Sequence, residues 1–167
     1  MRLIFLPDGW TVLICFLIWP LLQTVISWSC LKIPDSRYHP DGAWFRTHAW
    51  EKGGQIYQTL FRVRSWKERL PDGGKAFRDG YQKKRLTDTS RENLEKFLIE
   101  SCRAELAHWL AILPFWIFGF LAPPIILPIM LAYALIVNAP CIIAQRFNRP
   151  RIQKQLDRIR SRKSSVQ

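Results

Sequence analysis

Residues 125–144 read IILPIMLAYALIVNAPCIIA, twenty residues without a charge. A helix that crosses a bilayer needs about 20 consecutive apolar residues, and residues 10–31 form a second uncharged run of sufficient length. A third run, residues 106–121, carries His108 as its only ionisable group and reaches full length as residues 105–122. The three runs predict an all-α integral membrane protein with three transmembrane helices and additional amphipathic helices.

The distribution of charge predicts the orientation of these helices. The chain of 167 residues, expected to form a single membrane domain, carries 25 Lys and Arg against 13 Asp and Glu. Sixteen of the basic residues fall in residues 32–103, eight in residues 146–163, and none in residues 104–145. Basic segments stay on the cytoplasmic side of a membrane. We therefore predict a cytoplasmic segment 32–103, a cytoplasmic tail 146–167 and an N-terminus outside.

Two features of the sequence allow other interpretations. The run 10–31 could be a signal peptide, but only Arg2 precedes it as a basic residue and no small-x-small cleavage site follows cleanly. Residues 38–67 mix aromatic and basic side chains, a composition that suits single-stranded nucleic acid or a bilayer interface. Beside three spans the interface is the better interpretation, so we expect contact with membrane lipid and no nucleic-acid partner.

Three amphipathic helices are predicted on the cytoplasmic side. One covers residues 55–66 and lies in the headgroup region. Another starts at a capping box formed by Thr89 and Glu92 and continues into the second span. A third begins near Pro150, which suits a first helical turn, and its thin apolar stripe would lie on anionic lipid. Their apolar faces consist of Ile56, Leu60 and Val63, of Leu94, Phe97 and Leu98, and of Ile152, Leu156 and Ile159.

The residues that most resemble a catalytic pair are Glu105 and His108. They are three apart, so a helix places them on one face, while Arg103 points elsewhere. A histidine held by a carboxylate is a common general base. We hypothesise that His108 takes the proton of a hydroxyl group that attacks an acyl thioester, while Glu105 orients the ring. Alternatively, the pair marks the interface or binds cytoplasmic arginines. A zinc site would need His39 or His48 and a further carboxylate to complete it, so no metal is expected.

A second candidate site follows the third span. Arg146, Arg149 and Arg151 flank Asn148 there. They either anchor the span by their positive charge or bind phosphate or carboxylate, for which the guanidinium group is well shaped. The sequence contains no glycine-rich phosphate loop, no GxSxG motif and no His-x-x-x-x-Asp motif of soluble glycerolipid acyltransferases.

Several short motifs resemble the glycosyl-4,4'-diaponeurosporenoate acyltransferase family of bacterial carotenoid biosynthesis. The most specific are Arg103-Ala104-Glu105-Leu106-x-His108-Trp109 and Gln145-Arg146-x-Asn148-Arg149-Pro150-Arg151, because they pair unusual polar residues with membrane edges. The other matching pieces are Ile33-Pro34-Asp35, Glu51-Lys52 with Gly54, Val63-Arg64 with Trp66-Lys67, Leu70 with Asp72-Gly73, Leu113-Pro114, and Asn138 with Pro140.

The resemblance implies a multi-pass enzyme of the bacterial cell membrane that transfers a fatty acyl group to the sugar of a glycosylated carotenoid acid, in a staphyloxanthin-type pathway. A related glycolipid is a further candidate acceptor. The co-substrate would be an acyl-CoA or acyl-carrier-protein thioester, with no other cofactor. The alternative is a non-catalytic scaffold or lipid-binding protein of such a pathway. Substrate binding is expected from Trp66, Lys67, Asp72, Arg103, Arg146, Asn148, Arg149 and Arg151.

Overall fold

The computed structural model describes residues 3–70 and 89–164. All regular secondary structure assigned within these residues is helical. The α-helices are α1 (Asp8–Lys32), α2 (Gln55–Phe61), α3 (Val63–Trp66), α4 (Arg91–Ile112) and α5 (Ile126–Ser164). The 3-10 helices are Asp35–Arg37, Ala49–Gly54, Lys67–Arg69 and Leu113–Phe120. The predicted all-α class is therefore confirmed for the described part of the chain.

Two of these helices are long and apolar enough to cross a membrane, namely α1 and the Ile126–Arg162 part of α5. Only 11% of the apolar window of α1 and 22% of that of α5 is buried inside the protein. A core helix of a water-soluble protein would bury most of its apolar side chains. The low burial therefore favours membrane association for both helices.

The second predicted span, residues 105–122, is not seen as one long α-helix. Helix α4 ends at Ile112 and the chain continues as the 3-10 helix Leu113–Phe120, with Pro114 in its first turn. Proline has no N–H to donate and its ring displaces the preceding turn, which ends regular α-helical bonding. Within the described residues the structure shows two long apolar helices rather than the predicted three.

The chain divides into two compact units. The apolar unit comprises Met1–Pro34 and Leu106–Ile142, and the polar unit comprises Asp35–Glu105 and Ile143–Gln167.

The core of the apolar unit is built around Trp19 of α1. Its ring centroid lies 5.7 Å from that of Phe118 and 5.6 Å from that of Tyr133. The buried residues of this core are Trp19, Ile112, Phe118, Ala134 and Ile142. Aromatic pairs at such distances stabilise a core beyond the area that they bury.

Two hydrogen bonds connect α1 and the residues before it with the chain around the 3-10 helix Leu113–Phe120. The Leu3 amide donates to the Phe120 carbonyl at 2.9 Å, and Gln23 Nε2 donates to the Ala111 carbonyl at 2.9 Å. The change from α to 3-10 bonding leaves a carbonyl at this point without its helical donor. Gln23 therefore donates to the Ala111 carbonyl a hydrogen bond that lipid could not supply.

In the polar unit, the predicted helix 55–66 is interrupted at Arg62. That residue has φ 49°, in the left-handed region, and separates α2 from α3. The Gln58 side chain accepts a hydrogen bond from the Arg64 amide at 3.1 Å and so caps the break. Val63 is buried against Tyr57 and Phe147, whereas Leu60 is 66% exposed. The prediction that Ile56, Leu60 and Val63 share one face of a single helix is therefore wrong, because the break at Arg62 separates Val63 and buries it inside the protein.

Helix α4 is capped by Ser90, one residue after the predicted cap Thr89. The Ser90 hydroxyl, not Thr89, accepts a hydrogen bond from the Asn93 amide at 3.4 Å, and the helix starts at Arg91. A serine directly before the helix caps it by the same chemistry.

The predicted tail helix is the last part of α5. Helix α5 runs through Pro150 without a break. Pro150 has no N–H, so the Arg146 carbonyl lacks the hydrogen bond that another residue at this position would donate. Gly54 packs against α5 at this point.

The apolar stripe of the tail also differs from its prediction. Leu156 is buried against Leu94 and Leu98 of α4, with Ile152 and Ile159 beside it. The stripe therefore packs within the polar unit instead of lying on lipid.

Candidate active site

The Glu105 carboxylate is fully buried at the end of the polar unit's part of α4. Its Oε1 accepts a hydrogen bond from Arg146 Nε at 2.7 Å, and its Oε2 accepts one from Arg149 Nη2 at 2.6 Å. Both arginines come from α5. Glu105 therefore binds arginines in the structure, as the alternative interpretation of the sequence expects.

A second buried carboxylate, Glu51, extends this network. Glu51 Oε1 accepts hydrogen bonds from Arg146 Nη1 at 2.6 Å and from the Tyr57 hydroxyl at 2.7 Å. Its Oε2 accepts from the His48 amide at 3.0 Å. Burial acts to raise the pKa of Glu51, but the hydrogen bonds from Tyr57, Arg146 and His48 outweigh it, so the net pKa is lowered. Burial and the Glu51 hydrogen bond raise the pKa of Tyr57.

The fourth member of this ion network is Arg149, of which 1% is exposed. Its guanidinium donates to the Phe45 carbonyl at 2.8 Å and to the Ser101 carbonyl at 3.1 Å, besides Glu105. The network (Glu51, Glu105, Arg146, Arg149) thus contains two carboxylates and two guanidinium groups, whose formal charges cancel. Buried charges are tolerated when each is paired and hydrogen-bonded, so these four residues connect α4, α5 and the segment before α2.

Arg103 lies outside this network. Its guanidinium forms ion pairs with Glu100 and Asp35 and lies 4.9 Å from the centre of the Tyr38 ring. The side chain is largely buried. The prediction that Arg103 points away from Glu105 and His108 agrees with these partners.

Four of the remaining predicted substrate-binding residues lie in the polar unit. Lys67 Nζ donates to Asn148 Oδ1 at 3.0 Å and lies 5.3 Å from the centre of the Phe147 ring. The Arg151 guanidinium carbon lies 3.5 Å from the same centre. Trp66 Nε1 donates to the Phe61 carbonyl at 2.7 Å. Asp72 lies outside the described residues.

His108 belongs to the apolar unit, where Asn138 of α5 is its hydrogen-bond partner. His108 Nδ1 lies 2.9 Å from Asn138 Oδ1, and Asn138 Nδ2 donates to the Ala134 carbonyl at 2.9 Å. Because the amide nitrogen is used toward a carbonyl, the amide oxygen must accept from His108. His108 therefore carries a proton on Nδ1, and in the neutral ring the lone pair is on Nε2.

Sequence reasoning missed three residues of this arrangement. Asn138 stands alone as a polar residue in the run 125–144, where a buried amide needs a partner from a neighbouring helix. Glu51 belongs to the Glu51-Lys52 motif, but its link to Arg146 joins residues 95 positions apart and has no local signal. Tyr57 is found only through its contact with Glu51.

Known proteins give a consistent match. A family model described as glycosyl-4,4'-diaponeurosporenoate acyltransferase matches residues 41–158. The chain belongs to this family. The protein of that name from Staphylococcus aureus strain MRSA252 is 38% identical over 146 residues, which are 87% of this chain and 88% of that protein. The protein from strain Newman is 37% identical over 153 residues, 92% of each chain. No solved structure gives a significant match.

Membership of the glycosyl-4,4'-diaponeurosporenoate acyltransferase family confirms the resemblance found in the sequence. It also confirms the predicted enzyme class, an acyltransferase of carotenoid biosynthesis. The matched residues include the ion network, Lys67, His108, Asn138 and Arg151.

Proposed function

We propose that this protein transfers a fatty acyl group from a thioester to a sugar hydroxyl of a glycosylated carotenoid acid or a related membrane glycolipid, with His108 as the general base. The observation that carries the proposal is the hydrogen bond of 2.9 Å between His108 Nδ1 and Asn138 Oδ1. It fixes the tautomer in which Nε2 of the neutral ring is the basic atom.

The proposed reaction needs one proton relay. His108 Nε2 accepts the proton of the sugar hydroxyl while the hydroxyl oxygen attacks the thioester carbonyl. The tetrahedral intermediate then collapses, the carbon–sulfur bond breaks, and the imidazolium returns the proton to the departing thiolate. Asn138 Oδ1 accepts the Nδ1 hydrogen throughout, so the ring keeps its orientation in both charge states. The products are an ester and a free thiol.

Asn138 takes the orienting role that we predicted for Glu105. The Glu105 carboxylate oxygens accept hydrogen bonds from Arg146 and Arg149 at 2.6–2.7 Å. We assign Glu105 to positioning, because it fixes α4 against α5 within the polar unit. Arg146 and Arg149 act in the same way, since their guanidinium groups bind carboxylates and carbonyls of the protein itself.

We place three membrane crossings in the apolar unit, of which α1 and the first part of α5 are two. For the third, residues 106–112 rise about 1.5 Å each as α-helix. The eight residues of Leu113–Phe120 rise about 2.0 Å each as 3-10 helix. Together they extend about 26 Å, close to the hydrocarbon thickness of about 30 Å. The hydrogen bond from the Leu3 amide, ahead of α1, to the Phe120 carbonyl supports an arrangement in which α1 begins on the side of the membrane where residues 106–120 end.

With three crossings, the two segments of the polar unit lie on the same side of the membrane. Residues 32–163 carry 24 Lys and Arg, so by the positive-inside rule that side is the cytoplasmic one. A water-soluble acyl-CoA or acyl carrier protein would meet a membrane-embedded acceptor at this face of the bacterial cell membrane. Membrane lipid is the surrounding partner of the exposed apolar side chains on α1 and α5.

The test is complementation of a carotenoid-producing host that lacks its own acyltransferase. Wild-type protein should yield the acylated glycosyl carotenoid by mass spectrometry, and His108→Ala should leave the unacylated precursor. His39→Ala removes an exposed imidazole outside the apolar unit and is the matched control. Equal acylated product from wild type and His108→Ala, at equal protein levels, would refute the assignment of His108.

A further inference from the structure

Among the described residues of the polar unit, some basic side chains form ion pairs and others do not. Five arginines are neutralised by carboxylates: Arg91, Arg103, Arg146, Arg149 and Arg160. By contrast, none of the ion pairs within residues 3–70 and 89–164 involves Arg64, Lys67 or Arg151. We call Lys67 and Arg151, with Asn148, the Phe147 cation cluster, because both cations contact that ring.

The geometry of the cluster holds its donors in place. Lys67 Nζ uses one hydrogen toward Asn148 Oδ1 at 3.0 Å and keeps two more N–H donors. The Arg151 guanidinium carbon lies 3.5 Å from the centre of the Phe147 ring. The ring covers one face of the guanidinium plane, and the N–H groups point outward along the edge of that plane. Phe147 itself is buried in the core of the polar unit. Both cations therefore rest on a fixed aromatic support.

Close cations raise the energy of the cluster when no anion is present. Burial and then the charge of Arg151 lower the pKa of Lys67, with Arg64 acting in the same direction and Glu68 against it. Burial and the charge of Arg64 lower the pKa of Arg151. A bound anion would relieve this repulsion, whereas the ion network of Glu51, Glu105, Arg146 and Arg149 has no such unbalanced charge.

We infer that the Phe147 cation cluster binds the phosphate ester of a substrate or lipid, through Lys67 and Arg151. Guanidinium and ammonium groups together match the several acceptor oxygens of a phosphate. Two sources carry this chemistry: the phosphopantetheine or nucleotide part of the acyl donor, and the headgroup of an anionic phospholipid. The first source rests on the proposed acyl transfer, and the second does not.

The test measures binding by purified full-length protein in a neutral detergent. One arm titrates coenzyme A by calorimetry, and the other titrates short-chain phosphatidylglycerol, with short-chain phosphatidylcholine as the uncharged reference. The variants are Lys67→Gln and Arg151→Gln. Lys154→Gln on the exposed side of α5 removes the same charge and is the matched control. Lys67→Arg and Arg151→Lys keep the charge and test whether any loss comes from misfolding.

The proposal expects about ten-fold weaker binding for each charge-removing variant, the loss typical of one charge-assisted hydrogen bond, and smaller losses for the charge-keeping pair. Loss in the coenzyme A arm identifies the acyl donor as the source, and loss in the phosphatidylglycerol arm identifies lipid. Binding equal to that of Lys154→Gln in both arms overturns the proposal. His108→Ala should bind both probes normally, so failure of the catalytic assignment remains distinguishable.

Discussion

Asn138 Oδ1 lies 2.9 Å from His108 Nδ1, and the same amide donates to the Ala134 carbonyl one helical turn away. The second bond determines the direction of the first, because an amide nitrogen facing a carbonyl leaves only the oxygen for the imidazole. A buried asparagine in an otherwise apolar run thus defines which nitrogen of His108 is basic.

Replacing Asn138 by leucine should lower kcat by about 10²-fold, within the range expected for a general base that loses its orientation. The decisive measurement is a double-mutant cycle with His108→Ala. If Asn138 acts through His108, adding Asn138→Leu to His108→Ala should lower the rate no further. Rates that multiply in the double variant would mean that Asn138 acts independently of the ring.

Glu105→Gln should destabilise the protein by about 3–5 kcal/mol, because two guanidinium groups then lose their shared carboxylate. The measurement is the free energy of unfolding in detergent micelles. Glu95→Gln is the matched control, since Glu95 pairs with Arg91 and Arg160 at the surface and should cost at most about 1 kcal/mol. Equal losses for the two variants would contradict a buried structural role for Glu105.

The lowered pKa of Glu51 predicts an acid-sensitive fold. Its ordinary value is 4.5, and the folded protein holds the carboxylate ionised to lower pH than that. The unfolded chain therefore binds this proton first as the pH falls, and acidification favours unfolding. The stabilising contribution is complete above pH 4.5 and disappears as the pH falls through the folded pKa. Glu51→Gln should be less stable at pH 7 and lose less stability as the pH falls below 4.5. Identical pH slopes would exclude this role.

Adjacent glycines offer a paired test of the packing on α5. Gly54 has φ 83°, and an added Cβ would lie 3.1 Å from the Phe147 carbonyl and 3.2 Å from Pro150 Cγ. Gly53 has φ 63° and nothing within 4 Å. Gly53→Ala should cost about 1–2 kcal/mol for the left-handed backbone alone. Gly54→Ala should cost measurably more in the same unfolding assay, and an equal cost would show that the close approach is unimportant.

The two long helices were readable from the sequence, because hydropathy is a local property, and i,i+3 spacing made His108 a candidate base, a role that stays a proposal. The partner of His108 was not readable, since Asn138 is 30 residues away and comes from another helix. Glu105 shows the same limit. Spacing brought it near His108, but its partners Arg146 and Arg149 lie more than 40 positions along the chain.

Local signals also failed where tertiary packing overrides them. Pro150 predicted a helix start, yet α5 continues through it beside Gly54, whose missing side chain permits a close approach. Arg62 gave no sign of a break, because a left-handed arginine has no sequence signature of its own. The stripe of Leu156 looked lipid-facing until its contacts with Leu94 and Leu98 were known.

The most direct test of the central claim is the rate of acyl transfer by purified protein in micelles, with saturating acyl-CoA and a glycosylated carotenoid acid. His108→Ala should lower kcat by about 10²–10⁴-fold, the contribution of a general base. His39→Ala should retain the wild-type rate. An unchanged kcat in folded His108→Ala protein would contradict the account.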